Sequence, residues 1–254
     1  MNGVDVYAES GSSLMSYAAE LGAETAGTVA IVTGVLALAT VLVDRPWRYA
    51  RNVVTIVHEA GHALFAVLAG RRLQGITLHS DTSGVTVSKG KPTGPGMVLT
   101  ALAGYPAPAV LGLVFAWFVS AERLSVVLGI SAVLLLGVLV MVRNAYGVFS
   151  VVLSALVLGG IAMFAPPGVQ AAFVYLISWF LLFGGVRPLF ELQLKRRRGA
   201  ARDSDIDQLA RLTALPAVLW LLVMGVLAAT CVVVGSMLLV DPAVGPELVF
   251  EAGS

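Results

Sequence analysis

Long apolar runs separated by short polar breaks dominate the sequence. A run of about 20 predominantly apolar residues is long enough to cross the hydrocarbon core of a bilayer as a helix. Such runs are found at Ala26–Val43, Asn52–Ala69, Met97–Val119, Leu124–Val142, Ala145–Phe164, Val169–Phe190 and Leu212–Val240. The pattern therefore predicts an all-α polytopic membrane protein with about seven transmembrane helices.

Polar and proline-rich segments separate the apolar runs, and polar segments flank the membrane domain at both termini. Arg143-Asn144 separates the fourth run from the fifth, and Pro166-Pro167-Gly168 separates the fifth from the sixth because proline ends helices. We expect a polar N-terminal segment over residues 1–25, an integral membrane domain over 26–240 and a short C-terminal tail over 241–254. Residues 1–25 lack a basic start followed by an apolar core, so we expect no cleavable signal peptide.

The segment Leu73–Ser88 has a different periodicity. Apolar residues alternate with polar ones on both sides of Ser80-Asp81-Thr82-Ser83-Gly84, which is typical of a short β-hairpin. A plain surface loop is the alternative. We therefore predict a hairpin over residues 73–88, directly after the second apolar run.

Composition agrees with a membrane protein and narrows the partners. The chain is 58% hydrophobic and only 12% charged, against about a quarter charged in ordinary soluble proteins. The net charge of +1 and the lack of a basic tract with interleaved aromatics give no reason to expect a nucleic-acid partner. The single cysteine, Cys231, excludes an intrachain disulfide.

Lysine and arginine counts beside the runs predict the orientation. Cytoplasmic loops carry the excess of positive charge, so we expect a multi-pass cell-membrane protein with its N-terminus cytoplasmic and its C-terminus outside. This choice places Arg45, Arg48 and Arg51 on the outer side. We therefore predict that Asp44–Arg51 is an interfacial stretch with Trp47 and Tyr49 among the lipid head groups.

The second apolar run contains the candidate metal-binding and catalytic residues. His58-Glu59-Ala60-Gly61-His62 has two histidines four residues apart, which on a helix project from one face. Two imidazoles so placed can bind one Zn²⁺, and the intervening carboxylate can act as general base. Satisfied core histidines are the alternative, but polar residues inside a membrane helix usually have a function. We therefore predict that His58 and His62 are metal ligands and that Glu59 is catalytic.

A catalytic zinc site needs a third protein ligand. Asp205 is our choice for it, although Ser and Asp in Asp203–Asp207 are also typical of a helix N-terminus. Asp203, Glu191 or no third ligand at all are the alternatives. The only other histidine, His79, lies in the predicted hairpin, where we expect a solvated position.

Several motifs together resemble the site-2 protease class of intramembrane metalloproteases, the M50 family, and are most similar to its compact bacterial M50B-like membrane peptidases. They are TIVHEAGHALFAVLAG at Thr55–Gly70 with the hairpin after it, LAGYPAPAVLG at Leu102–Gly112, Arg143–Gly147, and Ser204-Asp205 followed by LARLTALPAVLW. The resemblance implies that His58 and His62 bind zinc, with Glu59 as base.

The chain departs from the better-known members at one position. Those proteins take a third ligand from an Asp-Gly pair, whereas this chain reads GVFSVVLSALV around residue 150. Asn144 lies near the position of the asparagine that precedes the pair, so it is a candidate substrate-binding residue, with a helix cap as the alternative. Either a later residue such as Asp205 completes the site, or the site is incomplete.

The resemblance implies hydrolysis of a peptide bond in or beside a transmembrane segment of another membrane protein, as in regulated intramembrane proteolysis. The partners would be that substrate and the lipid bilayer. Two alternatives stay open: a non-catalytic pseudoprotease that binds partner helices, and an ion or proton transporter in which the same polar residues form a relay.

Overall fold

The computed structural model describes residues 23–199 and 204–241. Within these ranges the chain forms helices and one small sheet. The helices and strands, in chain order, are α1 (Ala23–Leu42), α2 (Asp44–Leu68), β1 (Arg72–Leu78), β2 (Gly84–Lys89), α3 (Pro95–Leu102), α4 (Pro106–Ser120), α5 (Leu124–Met141), α6 (Ala145–Phe164), α7 (Pro167–Arg197), α8 (Asp205–Thr213) and α9 (Ala217–Val240).

The helices confirm a polytopic membrane protein but not the predicted number of seven spans. Among the described residues, α5, α6, α7 and α9 are each long and apolar enough to cross a membrane. The pairs α1–α2 and α3–α4 pass the same test only together, and they bend by 101° and 65° at their breaks. The count is therefore four, or up to six if each bent pair is one span.

Two predicted runs are not single helices. The run Met97–Val119 breaks between Leu102 and Pro106, where a short connection joins α3 to α4. The run Leu212–Val240 was placed too early, because α8 ends at Thr213, Ala214 adopts a positive φ of 56° and Pro216 precedes α9. Hydrophobicity alone continues across both breaks, so it did not reveal them.

The centre of the bundle is built from α4 and α7, with α1 and α9 packed against them. Small residues allow these close approaches. A Cβ on Gly112 would lie 2.7 Å from the backbone nitrogen of Leu182, and one on Gly185 would lie 2.8 Å from the backbone nitrogen of Ala109. Such contacts are typical of membrane helices, whose association depends on close packing.

The hairpin prediction is confirmed. Strands β1 and β2 pair antiparallel, with Ile76 opposite Thr86 and Leu78 opposite Gly84. The outer edge of β1 is covered by the connection between α5 and α6. The Arg143 N–H donates to the Ile76 carbonyl at 2.9 Å, and the Asn144 amide both accepts from and donates to the Leu78 backbone at 3.1 and 2.6 Å.

Among the described residues, the outer edge of β2 lacks the backbone hydrogen bonds that cover the outer edge of β1. In the described part of the chain, no backbone group outside the hairpin bonds to Gly84 or Thr86. An uncovered strand edge offers unpaired N–H and C=O groups to another extended chain. The edge of β2 is therefore available for pairing at Gly84 and Thr86, whereas the Ser88 carbonyl accepts from Arg71 at 3.4 Å.

The structure shows how Asp44–Arg51 is folded and packed. This segment forms the first two turns of α2, and Trp47 is 2% exposed, whereas Tyr49 is 82% exposed. The Trp47 indole N–H donates to the Glu191 carboxylate of α7 at 2.8 Å. Trp47 is therefore a packing residue between two helices, and the interfacial position of the segment stays a prediction.

Glu191 joins this first part of α2 to α7. Its carboxylate also pairs with Arg51 at 3.2 Å and with Arg187 at 3.0 Å. Arg187 in turn pairs with Asp44 at 2.5 Å and donates to the Val41 carbonyl at the end of α1. These contacts hold α2 at its angle to α1 by satisfying charges within an apolar bundle.

The number of crossings also bears on orientation. An odd number of spans places the two ends on opposite sides, whereas four or six spans place them on the same side. The predicted arrangement, with a cytoplasmic N-terminus and an outer C-terminus, requires an odd number of crossings, for example five if only one of the two bent pairs is a span. It stays a prediction.

We expect Glu191→Gln to lower stability because it removes the counter-charge of Arg51 and one of the two counter-charges of Arg187. The cost should be about 1–3 kcal/mol, seen as a lower thermal unfolding midpoint in detergent. Glu122→Gln removes the same charge at an exposed position outside this cluster. Equal midpoints for the two variants would contradict the role given to Glu191.

Candidate metal centre

Helix α2 places the two histidines of the motif on one face. Ile56, Val57, Ala63 and Ala66 are buried around them, which fixes the rotation of the helix. His58 and His62 lie one turn apart, and their Nε2 atoms are 3.1 Å from each other. Both imidazoles therefore present the same ring nitrogen to one point, as the sequence predicted.

Helix α8 brings a carboxylate to that point. The Ser204 hydroxyl caps α8 by accepting the Asp207 N–H at 3.3 Å, and Asp207 pairs with Arg196 at the end of α7. Ile206 is completely buried and anchors the first turn. The capped N-terminus that was the alternative for this segment is present, and Asp205 still faces the histidines.

The three side chains meet in a triangle. Asp205 Oδ2 lies 3.1 Å from Nε2 of His58 and 3.1 Å from Nε2 of His62, so all three sides are equal. Ligands at about 2.0–2.1 Å from a tetrahedral zinc ion lie about 3.3 Å apart, so the triangle is close to one face of such a tetrahedron. The donor set and the spacing therefore fit a zinc ion with a fourth position left open.

A backbone carbonyl orients one imidazole. His62 Nδ1 lies 2.7 Å from the Thr100 carbonyl of α3, and both residues are buried. A proton on Nδ1 that donates to this carbonyl leaves the Nε2 lone pair free for a metal. Partners of this kind commonly fix the tautomer of metal-binding histidines.

The surroundings of Asp205 favour its ionised form. Burial raises the pKa of the Asp205 carboxyl, but hydrogen bonds and charge interactions with His58 and His62 together lower it by more, so its pKa lies below the usual range. An ionised carboxylate is the form that binds a divalent cation. The fold therefore keeps a negative charge beside two imidazoles.

The Glu59 side chain contacts the hairpin. It is 3% exposed, and its Oε2 accepts the Thr86 hydroxyl at 2.6 Å. A Cβ on Gly84 would lie 2.6 Å from Oε1, so β2 can approach this closely only with glycine there. Glu59 is not part of the three-residue group that can hold a metal, and its role as base stays a prediction.

The other candidate residues lie elsewhere. Glu191 is occupied by Trp47 and two arginines, and the exposed His79 lies in the hairpin loop. The side chain of Asn144 binds the end of β1, so its contacts position the hairpin, and its role toward substrate stays a prediction. Asp203 lies outside the described residues.

The connection between α3 and α4 was not expected to reach the site. A Cβ on Gly104 would lie 2.7 Å from Cε1 of His58 and closer still to the His62 ring. The Tyr105 ring packs edge to face on His58, with centroids 5.0 Å apart. The Gly-Tyr-Pro sequence was a visible helix-break signal, but its proximity to the motif depends on the tertiary fold.

A family model described as Peptidase M50B-like matches residues 31–235, and the chain belongs to this family. The match includes the zinc motif, the hairpin and Asp205. No curated protein and no solved structure matches the chain.

Gly104→Ala should weaken metal binding because its methyl group would displace both imidazoles. We expect the affinity for added Zn²⁺, measured by calorimetry on detergent-purified protein, to fall at least about tenfold, since displaced ligands give poor coordination. Gly159→Ala is the matched control, because a Cβ there meets no neighbour within 4 Å. Wild-type affinity in Gly104→Ala would show that the histidines do not occupy this arrangement.

Proposed function

We propose that this M50B-like family member is a zinc-dependent endopeptidase that cleaves membrane proteins in or beside a transmembrane segment. The observation that carries the proposal is the equilateral triangle of His58, His62 and Asp205 in a membrane helix bundle. The family match supports peptidase chemistry. Asp205 would take the place of the aspartate that other members supply from an Asp-Gly pair.

Each residue of the site has a separate role in the proposed hydrolysis. His58, His62 and Asp205 would hold zinc, which makes water acidic enough to ionise near neutral pH and polarises a carbonyl. Glu59 accepts a proton from the attacking water and later gives it to the leaving nitrogen. The water oxygen bonds to the carbonyl carbon, the C–N bond breaks, and one carboxyl and one amine product result.

The hairpin offers a way to present the substrate. A helical segment hides its carbonyls in hydrogen bonds, so it must become extended before attack. The uncovered edge of β2 could pair with such a strand, and Thr86 on that strand contacts Glu59 directly. A strand added to β2 would therefore lie beside the proposed base.

The contacts of Asp205 weaken the non-catalytic alternative. That alternative rested on the missing Asp-Gly pair, and a carboxylate 3.1 Å from both histidine nitrogens could supply an equivalent ligand. A transporter would need further charged groups along a path through the bundle. The remaining ion pairs of the described helices, centred on Glu191 and on Asp207, are each accounted for by packing contacts between helices.

Zinc-loaded protein should cleave extended or membrane-spanning substrates, and Glu59→Gln should abolish cleavage. The probes are β-casein, which is unstructured, and a panel of fluorescent transmembrane peptides in liposomes. We expect Glu59→Gln to reduce the rate at least about 10²-fold because it removes the general base. Zinc content should not change, since Glu59 is not a ligand.

Glu122→Gln is the matched control and should cleave like the wild type. A Glu59→Gln protein that cleaves at the wild-type rate would contradict the assignment of the base. A zinc-loaded wild type that cleaves no probe would contradict the enzyme proposal and favour the partner-binding alternative.

A further inference from the structure

Tyr105 is a polar residue at the site that the roles assigned above leave unused. It lies between α3 and α4, where Pro106 begins α4 and fixes the backbone. Its ring meets the His58 imidazole edge to face, at 5.0 Å between centroids and 86° between planes. The position next to a candidate ligand is therefore determined by a helix start and by a ring contact.

The phenol hydroxyl distinguishes Tyr105 from a purely packing residue. The side chain is half-buried, and no hydrogen bond to its hydroxyl is found among residues 23–199 and 204–241. The hydroxyl is therefore free to donate to a group that enters the site. A phenylalanine would make the same ring contact with His58, so packing alone does not account for the oxygen.

The roles assigned to the neighbouring groups do not include a hydrogen-bond donor for the substrate carbonyl oxygen. Asp205 and the two histidines form the metal triangle, and Glu59 is held by Thr86 on the hairpin side. None of these residues is a neutral donor free to bind a negatively charged oxygen. Gly104, the residue before Tyr105, contacts both imidazoles, so a substrate carbonyl at the triangle would also lie near the α3–α4 connection.

We propose that Tyr105 is a catalytic residue whose hydroxyl donates a hydrogen bond to the substrate carbonyl oxygen as that oxygen becomes negatively charged. This inference rests on the proposed peptidase function. When the water oxygen bonds to the carbonyl carbon, the π electron pair moves onto the carbonyl oxygen. The pair returns when the C–N bond breaks, and Tyr105 keeps its proton throughout. Donors placed for a developing oxyanion lower the barrier more than they strengthen substrate binding.

Tyr105→Phe tests the inference because it retains the ring and removes only the oxygen. On a peptide that the zinc-loaded wild type cleaves, we expect kcat to fall about 10²-fold with KM within about twofold. Tyr175→Phe is the matched control, since it removes the same oxygen from a tyrosine of α7 that is not among the residues assigned to the site. Zinc content should equal that of the wild type in both variants.

A binding measurement gives a readout that does not need turnover. A phosphinic peptide presents a tetrahedral, negatively charged group, whereas acetohydroxamate is a planar metal chelator. In calorimetry on zinc-loaded protein, Tyr105→Phe should bind the phosphinic peptide at least about tenfold more weakly and acetohydroxamate equally well.

The results of these experiments distinguish failure of the Tyr105 inference from failure of the proposed function. If Tyr105→Phe has the wild-type kcat and the wild-type affinity for the phosphinic peptide, the inference is overturned. Loss of zinc from this variant would also overturn it, because the phenol would then belong to the ligand set. If the wild type cleaves nothing, the proposed function fails, and the phosphinic-peptide comparison still decides whether Tyr105 is an oxyanion donor.

Discussion

The carboxylate of Asp205, set between the Nε2 atoms of His58 and His62, is the interaction on which the arrangement of the site depends. Polar groups in a membrane helix bundle are costly unless they are paired. Here a helix that follows α7 supplies the partner for a motif that precedes it by about 145 residues in the sequence. Helices α2 and α8 are therefore brought together by the chemistry of their side chains as well as by packing.

Two close approaches determine what surrounds the triangle. Glycine at position 104 lets the α3–α4 connection touch both imidazoles, and glycine at position 84 lets β2 touch Glu59. The ligands, the base and the uncovered strand edge are consequently held within one region. In our account this region combines metal binding, proton transfer and the presentation of an extended substrate.

The sequence predicted best those elements that consist of uninterrupted apolar residues. The fifth run matches α6 at both ends, and the fourth differs from α5 by one residue. The hairpin was also predicted, because its alternation and turn residues are local signals. The α3–α4 break was missed because hydrophobicity is continuous across it. The polar segment between the first two runs was recognised, but the 101° angle between α1 and α2 was not predicted, since it is set by contacts such as those of Glu191.

In the candidate site, too, local features were predicted and tertiary contacts were not. The His-Glu-x-x-His spacing is local, so two ring nitrogens on one face could be predicted from the sequence alone. Asp205 was one of several acidic candidates, and only the fold shows that it, rather than Glu191, lies beside the histidines. Thr86, Thr100 and Tyr105 could not be predicted as neighbours because their contacts join segments that are distant in the sequence.

The most direct test of the central claim is the zinc content per chain of detergent-purified wild type, Asp205→Ala and Asp207→Ala. Asp207 lies on the same helix turn but pairs with Arg196, so it is the matched control. A three-ligand site predicts about one zinc per chain in the wild type and in Asp207→Ala, and close to none in Asp205→Ala. Full zinc content in Asp205→Ala, or a wild type that binds no zinc, would contradict the account.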